Sequence, residues 1–125
     1  NWFERNIFKH LAMKSGLMGT NTLLVPGRSS GRPQRVPVIP VEHGGARYLV
    51  STRGESNWVR NLRAAGRAEL KRGSKTQPVR VTELPVAERP PVIAAYRKVA
   101  GREVERYFKK LPDPTDHPVF RLDPT

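Results

Sequence analysis

Three arginines stand close together in PGRSSGRPQRVPV, the stretch from Pro26 to Val38. Arg28, Arg32 and Arg35 lie around two serines and two glycines, and an apolar segment follows directly. A guanidinium group binds phosphate or carboxylate through paired hydrogen bonds and keeps its charge at physiological pH. The glycines allow a tight backbone whose N–H groups can donate to the same anion as the serine hydroxyls. The stretch therefore predicts an anion-binding loop; the alternative is a solvated basic turn between strands.

A second basic cluster follows in STRGESNWVRNLR, residues 51–63. It contains Arg53, Arg60 and Arg63, and the last two are three residues apart, on one side of a predicted helix. Trp58 points elsewhere on that helix and is expected to pack in the core. Taken alone, these arginines are typical of surface charge. A sheet that brought both clusters to one mouth would hold an extended anion from two sides.

The charge balance limits the class of partner. The chain has 23 Lys and Arg against 11 Asp and Glu, which gives a formal net charge of +12. Such an excess favours nucleic acid, an acidic membrane surface or a small polyanion such as a phosphorylated cofactor. A chain of 125 residues can bury one modest core, so we predict a single domain over residues 1–125.

Other kinds of active site find no support in the sequence. There is no cysteine, so disulfides and cysteine chemistry are excluded, and redox chemistry must come from a cofactor. His10, His43 and His117 lie far apart without partners at ligand spacing, so no metal site is predicted. Each histidine is expected to be exposed or in a turn. Glu103 and Glu105 fall on different helix faces and are expected to pair with nearby arginines.

Strands are predicted from runs rich in Val, Leu, Ile and Thr. We expect three strands before residue 52, with a hairpin at His43-Gly44-Gly45. Pro37 and Pro40 lack the N–H group that a central strand needs, so we expect a bulge or bend there. A second hairpin is predicted at Gly73-Ser74 and a last strand in HPVFRL.

Helices are predicted in three parts of the chain. Apolar residues at three- to four-residue spacing indicate an N-terminal helix over about residues 2–15. A short amphipathic helix has Ser56 as its N-cap and Gly66 as its end. A longer helical segment follows Pro91, with a break near Gly101.

The N-terminal helix is basic, and two placements are open. It is expected to cover the domain's own core; the alternative is a weak contact with an anionic membrane surface. No apolar run is long enough to span a bilayer, and the N-terminus lacks the apolar core of a signal peptide. We therefore expect a cytoplasmic protein, with or without attachment to the inner face of the membrane.

The order of these motifs resembles the deazaflavin-dependent nitroreductase family, small split β-barrel proteins that use reduced coenzyme F420. The resembling stretches are GRSSGRPQRVPV, YLVSTRGESNWVRNLRAAG and HPVFRL, which together extend over most of the chain. The resemblance implies an α+β, mainly β fold: a split β-barrel like that of flavin-nucleotide-binding oxidoreductases, with flanking helices and the deazaflavin in a groove. It also implies an F420H2-dependent reductase. The enzyme would transfer a hydride to a small planar acceptor, namely a quinone, a nitro-aromatic or an unsaturated lactone.

The resemblance also implies which residues bind the coenzyme. The family's Gly-Arg-x-Ser-Gly-x-Pro motif holds the phosphate and the glutamate tail, and the strand after it lines the ring. Ser29 replaces the commoner basic residue, and Gln34 stands where an arginine is frequent, although Arg35 can compensate. Further family segments fall on residues 51–54 and on the helix that follows. The implied set is Arg28, Ser29, Ser30, Arg32, Pro33, Arg35, Val36, Pro37, Val38, Ser51, Thr52, Arg53, Gly54, Asn57, Trp58, Arg60 and Asn61.

Hydride transfer from a deazaflavin needs no catalytic acid or base, because the proton can come from solvent. Thr52 and Ser51 are the candidates for a catalytic hydroxyl, and Tyr107 and Phe108 are expected to wall the acceptor pocket. The sequence leaves the oligomeric state open, with a homodimer as one alternative. One alternative is an oxidoreductase of the same barrel class that uses flavin mononucleotide (FMN).

The other alternative is a basic nucleic-acid-binding barrel. Such barrels stack bases on aromatic side chains, but only 7% of the residues are aromatic and none lies between Arg28 and Arg35. We therefore predict no nucleic-acid partner.

Overall fold

The computed structural model describes residues 21–125, and the helix expected over residues 2–15 lies outside them. The strands of the described part are β1 (Asn21–Pro26), β2 (Pro33–Val38), β3 (Val41–His43), β4 (Ala46–Val50), β5 (Arg67–Arg72), β6 (Lys75–Glu83) and β7 (Val119–Pro124). Its helices are α1 (Asn57–Ala65), α2 (Arg89–Ala100) and α3 (Arg102–Lys110), with 3-10 turns at Val86–Glu88 and Pro114–Asp116.

The strands form one antiparallel sheet in the order β2-β1-β5-β6-β7-β4-β3. The strands β2 and β3 lie at opposite edges, yet only Ile39 and Pro40 separate them along the chain. So short a connection is possible only because the sheet curls until its edges approach each other. The result is the expected split barrel with flanking helices, an α+β fold.

The stretch around Pro37 and Pro40 differs from the expectation in one respect. We expected one bent strand, whereas the structure has two, so four strands precede residue 52 instead of three. Pro37 stays within the edge strand β2, opposite Thr22. Pro40 has no N–H group to donate, so pairing ends there and the chain crosses to the other edge.

Two apolar clusters fill the fold. One lies inside the curled sheet, where Leu23, Leu49 and Phe120 pack against Trp58 and Leu62 of α1. The rings of Trp58 and Phe120 are 6.3 Å apart between centroids, which confirms that Trp58 is a core residue. In the second cluster, side chains of α2 and α3 pack against residues of β3, β4 and β7. Its members include Ile39, Val41, Val50, Val92, Ile93, Tyr96, Val104, Phe108 and Val119.

The predicted turns and ends are confirmed. The first hairpin turns at Gly44 and Gly45, both with positive φ, and the second at Gly73-Ser74. Helix α1 begins after Ser56 and ends at Gly66, and Gly101 separates α2 from α3. Ser56 does not cap α1 with its side chain, however: its buried Oγ has no hydrogen-bond partner in the part of the chain that the structure describes. None of the helices in residues 21–125 has the length and apolar character needed to cross a membrane.

Candidate functional site

The first arginine cluster forms a compact loop between β1 and β2. The N–H of Gly27 donates to the carbonyl of Arg32 at 2.8 Å, and the N–H of Gly31 donates to the carbonyl of Gly27 at 2.9 Å. Ser30 Oγ accepts from the N–H of Arg32 at 3.1 Å. Gly31 has a φ of 75°, a conformation that favours glycine. These bonds fix the loop while the side chains of Arg28 and Arg32 remain exposed.

Arg28 joins this loop to helix α1. Its guanidinium Nη1 donates to Asn61 Oδ1 at 2.8 Å, and its backbone N–H donates to the same oxygen at 3.0 Å. The other guanidinium nitrogen donates to Asn57 Oδ1 at 3.3 Å. Asn57 and Asn61 are four residues apart and so lie on one face of α1. The structure thus brings the loop of the first cluster against the helix of the second, as two-sided binding of an anion requires.

The partners of Arg28 are neutral oxygens, so its positive charge is not compensated. Within residues 21–125, no ion pair joins Arg28, Arg32, Arg35 or Arg60 to a carboxylate. Arg60 lies three residues after Asn57, next to the face of α1 that holds Arg28. These four guanidinium groups form what we call the basic rim, and all four are exposed.

Arg63, the third arginine of the second cluster, has a structural role instead. Its guanidinium donates to Glu55 at 2.7 Å and to Glu83 at 2.8 Å. Hydrogen bonds to Glu83 and Glu55 raise the pKa of Arg63, and the bond to Arg63 lowers the pKa of Glu55. Two carboxylates already hold this guanidinium, so it is less suited to an external anion than the basic rim.

A narrow cleft opens at the split of the barrel. One wall is formed by Pro37, Val38 and Ile39, and the other by residues 49–53. Trp58 and Tyr96 complete the lining. The enclosed part has a volume of about 40 Å³, well below the roughly 300–1,000 Å³ of small-molecule pockets. It can therefore enclose one edge of a planar molecule, and the remainder would lie along the mouth.

The two candidate hydroxyls differ in availability. Ser51 Oγ donates to the carbonyl of Gly54 at 2.7 Å and is buried, so it stabilises the turn after β4. Thr52 is 6% exposed and lines the cleft. Its hydroxyl has no hydrogen-bond partner among residues 21–125. Of the two, only Thr52 has a hydroxyl available to a ligand.

Gly54 is required in the turn that carries Thr52 and Arg53. Its φ is 80°, and a Cβ at this position would lie 3.5 Å from the carbonyl oxygen of Asp116. A side chain here would be strained by the backbone conformation alone. Gly54 therefore shapes the site through the backbone.

Tyr107 and Phe108, expected to wall the acceptor pocket, both lie on α3. Phe108 is 4% exposed and packs in the core, with its ring centroid 6.4 Å from that of Tyr96. The described lining of the cleft contains Tyr96 and neither Tyr107 nor Phe108. Burial raises the pKa of Tyr96, so its phenol stays protonated at neutral pH. The sequence alone does not identify Tyr96 as a lining residue, because it does not show which of the two helices on either side of Gly101 faces the cleft.

His117 was expected to be exposed or in a turn, and it closes the 3-10 turn at Pro114–Asp116. It is not exposed, however: it is 1% exposed, with Nδ1 at 2.8 Å from the carbonyl oxygen of Ser51 and Nε2 at 2.6 Å from that of Leu111. By contrast His43 is exposed in the first hairpin, as expected, and His10 lies outside the described residues. Glu105 pairs with Arg97 as expected. Across the described residues 21–125 there is no cluster of His, Asp and Glu that could hold a metal ion.

Comparisons with known proteins agree with this geometry. The profile of the F420H(2)-dependent quinone reductase family matches residues 8–113. A search of curated proteins gives no match. One similar solved structure is an F420-H2 dependent reductase, FDR-A, with 24% identity and a TM-score of 0.63, covering 84% of this chain and 94% of that one.

Two further structures share the fold. A protein described as a domain-swapped dimer has 21% identity and a TM-score of 0.63, covering 98% of this chain and 97% of that one. HutZ, the haem storage protein of Vibrio cholerae, has 13% identity and a TM-score of 0.57, covering 94% and 89%. At these identities the likeness concerns the fold alone, whereas the family profile spans most of the sequence. The chain belongs to the F420H2-dependent quinone reductase family, oxidoreductases whose cofactor is coenzyme F420.

Proposed function

We propose that the basic rim binds the phosphate and glutamate tail of coenzyme F420, and that the deazaflavin ring lies at the cleft between Val38 and Thr52. The observation that carries the proposal is the position of Arg28. Its guanidinium is oriented by Asn57 and Asn61, whose neutral oxygens leave its charge available. The donor set fits the coenzyme, because phosphate and carboxylate groups are the usual partners of exposed guanidinium groups.

The remaining residues of the implied set have distinct roles in this proposal. The bound reduced coenzyme supplies a hydride. Pro37 and Val38 line the cleft and form an apolar wall that excludes water from the reacting atoms, whereas Val36 belongs to the core cluster inside the curled sheet. Gly54 and the hydroxyl of Ser51 hold the turn, while Arg53 and the hydroxyl of Thr52 face the acceptor. Ser29 and Ser30 belong to the loop that fixes Arg28 and Arg32, and Pro33 begins strand β2 directly after it.

We propose that the acceptor is a small planar apolar molecule: a quinone, a nitro-aromatic or an unsaturated lactone. The cleft supports this class, since its walls are mainly the side chains of Pro37, Ile39, Leu49, Trp58 and Tyr96. Its small enclosed volume favours a flat molecule that enters by one edge.

Replacing Arg28 with alanine is expected to weaken coenzyme binding by roughly 1.5–3 kcal/mol, the range for charge-assisted hydrogen bonds. Arg32→Ala should have a similar effect. Saturating coenzyme should restore most of kcat in both variants, because uniform binding interactions affect KM rather than kcat. Fluorescence titration gives the dissociation constants, and the affinity of the unmodified protein should fall with added salt.

Lys75→Ala is the matched control for charge. Lys75 is exposed at the turn of the β5–β6 hairpin, at the opposite end of β5 from α1. Its loss removes one positive charge without touching the basic rim. Unchanged affinity in Arg28→Ala, or an equal loss in Lys75→Ala, would show that the coenzyme binds elsewhere.

Asn57→Asp should separate coenzyme binding from stability. Asn57 is exposed at the start of α1, where a carboxylate interacts favourably with the helix dipole by about 0.3–1 kcal/mol. The new carboxylate would also compensate the charge of Arg28 and weaken coenzyme binding by up to about 1 kcal/mol. Thermal melting and titration should therefore move in opposite directions. A variant that is both more stable and binds at least as well would contradict the role of the Arg28 charge.

Thr52→Val removes a hydroxyl at nearly constant volume. If the hydroxyl orients the acceptor, kcat should fall roughly tenfold, equivalent to about 1.4 kcal/mol, with coenzyme affinity nearly unchanged. Ser51→Ala is the comparison, because it removes the bond to Gly54 and should lower the free energy of unfolding by about 1 kcal/mol. Turnover of menadione and a nitro-aromatic measures the first effect. Unchanged turnover in Thr52→Val would remove Thr52 from the site.

We also propose a homodimer and a cytoplasmic location with weak attachment to the inner face of the membrane. The similar structure described as a domain-swapped dimer supports the first proposal. The net charge of +12 supports electrostatic attraction to an anionic surface. Sedimentation of the purified protein tests the dimer, and flotation with anionic vesicles tests the attachment.

A further inference from the structure

His117 lies between two backbone carbonyl groups in the interior. Its Nδ1 is 2.8 Å from the oxygen of Ser51, at the end of β4, and its Nε2 is 2.6 Å from the oxygen of Leu111, just after α3. Carbonyl oxygens only accept hydrogen bonds. Both ring nitrogens thus lie within hydrogen-bond distance of a carbonyl oxygen, and the tautomer of the ring decides which of them donates.

The rest of the imidazole is packed against α3. Leu111, whose carbonyl oxygen lies near Nε2, is the residue that ends α3. The ring of Phe108 lies against the imidazole, with 4.3 Å between centroids. These contacts hold the ring in place against the end of the helix.

The charged groups around His117 have partners of their own. On α2 and α3, Arg97 lies 4.7 Å from the centroid of the Phe108 ring and pairs with Glu105. In the turn before His117, Asp113 accepts from the N–H of Thr115, and Asp116 is exposed.

On the two remaining sides, Arg89 donates to the carbonyl of Pro114 at 3.2 Å, and Arg53 follows in the turn after β4. Within residues 21–125, no carboxylate is paired with the imidazole. The polar contacts of the imidazole are therefore with backbone carbonyl groups.

The two contacts of His117 determine where the cleft turn begins. Residues Val50 and Val119 form the last pair between β4 and β7. Beyond them, the N–H of Ser51 donates to the carbonyl of Pro118 at 2.9 Å, and the carbonyl oxygen of Ser51 lies 2.8 Å from Nδ1 of His117. The imidazole thus contacts the carbonyl of Ser51 where a neighbouring strand would otherwise pair with it. Ser51 is the residue directly before Thr52 and Arg53.

We propose that His117 is a positioning residue for the reductase. Its contact with the carbonyl of Ser51 fixes Thr52 and Arg53 at the cleft. This inference rests on the proposed function, which places the acceptor at that cleft.

Backbone NMR of the protein without coenzyme tests the contact with Ser51. The amide signals of Thr52 and Arg53 should shift in His117→Gln and stay close to those of the unmodified protein in His117→Asn. Equal shifts in the two variants would overturn the inference. Because no coenzyme is present, this result is independent of where the coenzyme binds, which Arg28→Ala tests separately.

Two amide variants test the positioning role. The amide nitrogen of asparagine lies near the position of Nδ1 of histidine, because both are two bonds from Cβ. The amide nitrogen of glutamine lies near the position of Nε2, because both are three bonds from Cβ. His117→Asn should keep the bond to Ser51 and retain kcat within about twofold. His117→Gln should lose that bond, and kcat should fall about tenfold, within the range that a misplacement of 1 Å can cause. The coenzyme dissociation constant should change little in either variant.

A role in packing alone predicts the opposite order, because asparagine leaves the larger cavity. Equal kcat values in the two variants, or a larger loss in His117→Asn, would therefore overturn the positioning role. If His117→Gln does not fold, the kcat and the amide signals of His117→Asn still decide the question. His43→Gln, in an exposed hairpin, is the control and should leave kcat unchanged.

Discussion

Replacing Trp58 with alanine is expected to lower the free energy of unfolding by about 3–5 kcal/mol. The indole is 7% exposed and packs against Phe120 inside the curled sheet, so its removal leaves a cavity that the neighbouring strands cannot fill. Trp58 also lines the cleft, and coenzyme affinity should fall together with stability. Denaturant unfolding measures the first effect and titration the second.

Trp58→Phe is the control for this prediction. It keeps an aromatic ring in the core while shortening the group that reaches the cleft. We expect it to retain most of the stability that Trp58→Ala loses. If Trp58→Ala unfolds at the same denaturant concentration as the unmodified protein but no longer binds coenzyme, then the indole is a ligand contact and its role in the core is minor.

Glu83→Ala is expected to destabilise the protein by about 3–5 kcal/mol, the cost of leaving a buried charge without its partner. The carboxylate of Glu83 accepts from Arg63 at 2.8 Å and from Arg89 at 3.3 Å. The side chain of Arg89 is only 8% exposed. Its other partners are the carbonyl groups of Leu84, Pro114 and Thr115, which supply no compensating charge. Chemical denaturation measures the loss.

Glu55→Ala is the matched control, because Glu55 also pairs with Arg63 but at the surface. The side chains of this pair are 43% and 50% exposed. Exposed ion pairs contribute about 0–1 kcal/mol, so the variant should be nearly as stable as the unmodified protein. Similar losses for Glu55→Ala and Glu83→Ala would mean that burial of Arg89 is not the source of the effect.

Local signals in the sequence were enough to predict most elements. The hairpin at Gly44-Gly45, the end of α1 at Gly66 and the break at Gly101 depend on residues that accept positive φ, which can be identified without the fold. The separation of β2 from β3 could not be predicted in this way. It depends on which edge of the sheet each half of this segment joins. Contacts between residues far apart in sequence determine that pairing.

The site was predictable only in part. The resemblance indicated both arginine clusters, but no local pattern shows that Asn57 and Asn61 hold Arg28 or that Arg63 is held by two carboxylates. Tyr96 lies in an apolar run that is equally typical of a buried core helix. It lines the cleft because of the way α2 packs in the fold. His117 shows the limit most clearly. Its partners are backbone carbonyl groups, which every residue possesses and no sequence pattern can identify.

The two-residue connection between β2 and β3 has a consequence for how this enzyme could change its substrate range. Three successive peptide units of about 3.3–3.6 Å each cannot let Val38 and Val41 move more than about 11 Å apart. The covalent chain therefore sets an upper limit on how far the two sheet edges can separate at this joint, whatever occupies the cleft. Substitutions in the lining can alter the shape of the cleft, but they leave this limit in place. Inserting residues beside Pro40 would relax it, which makes this joint the position where evolution or engineering could admit bulkier acceptors.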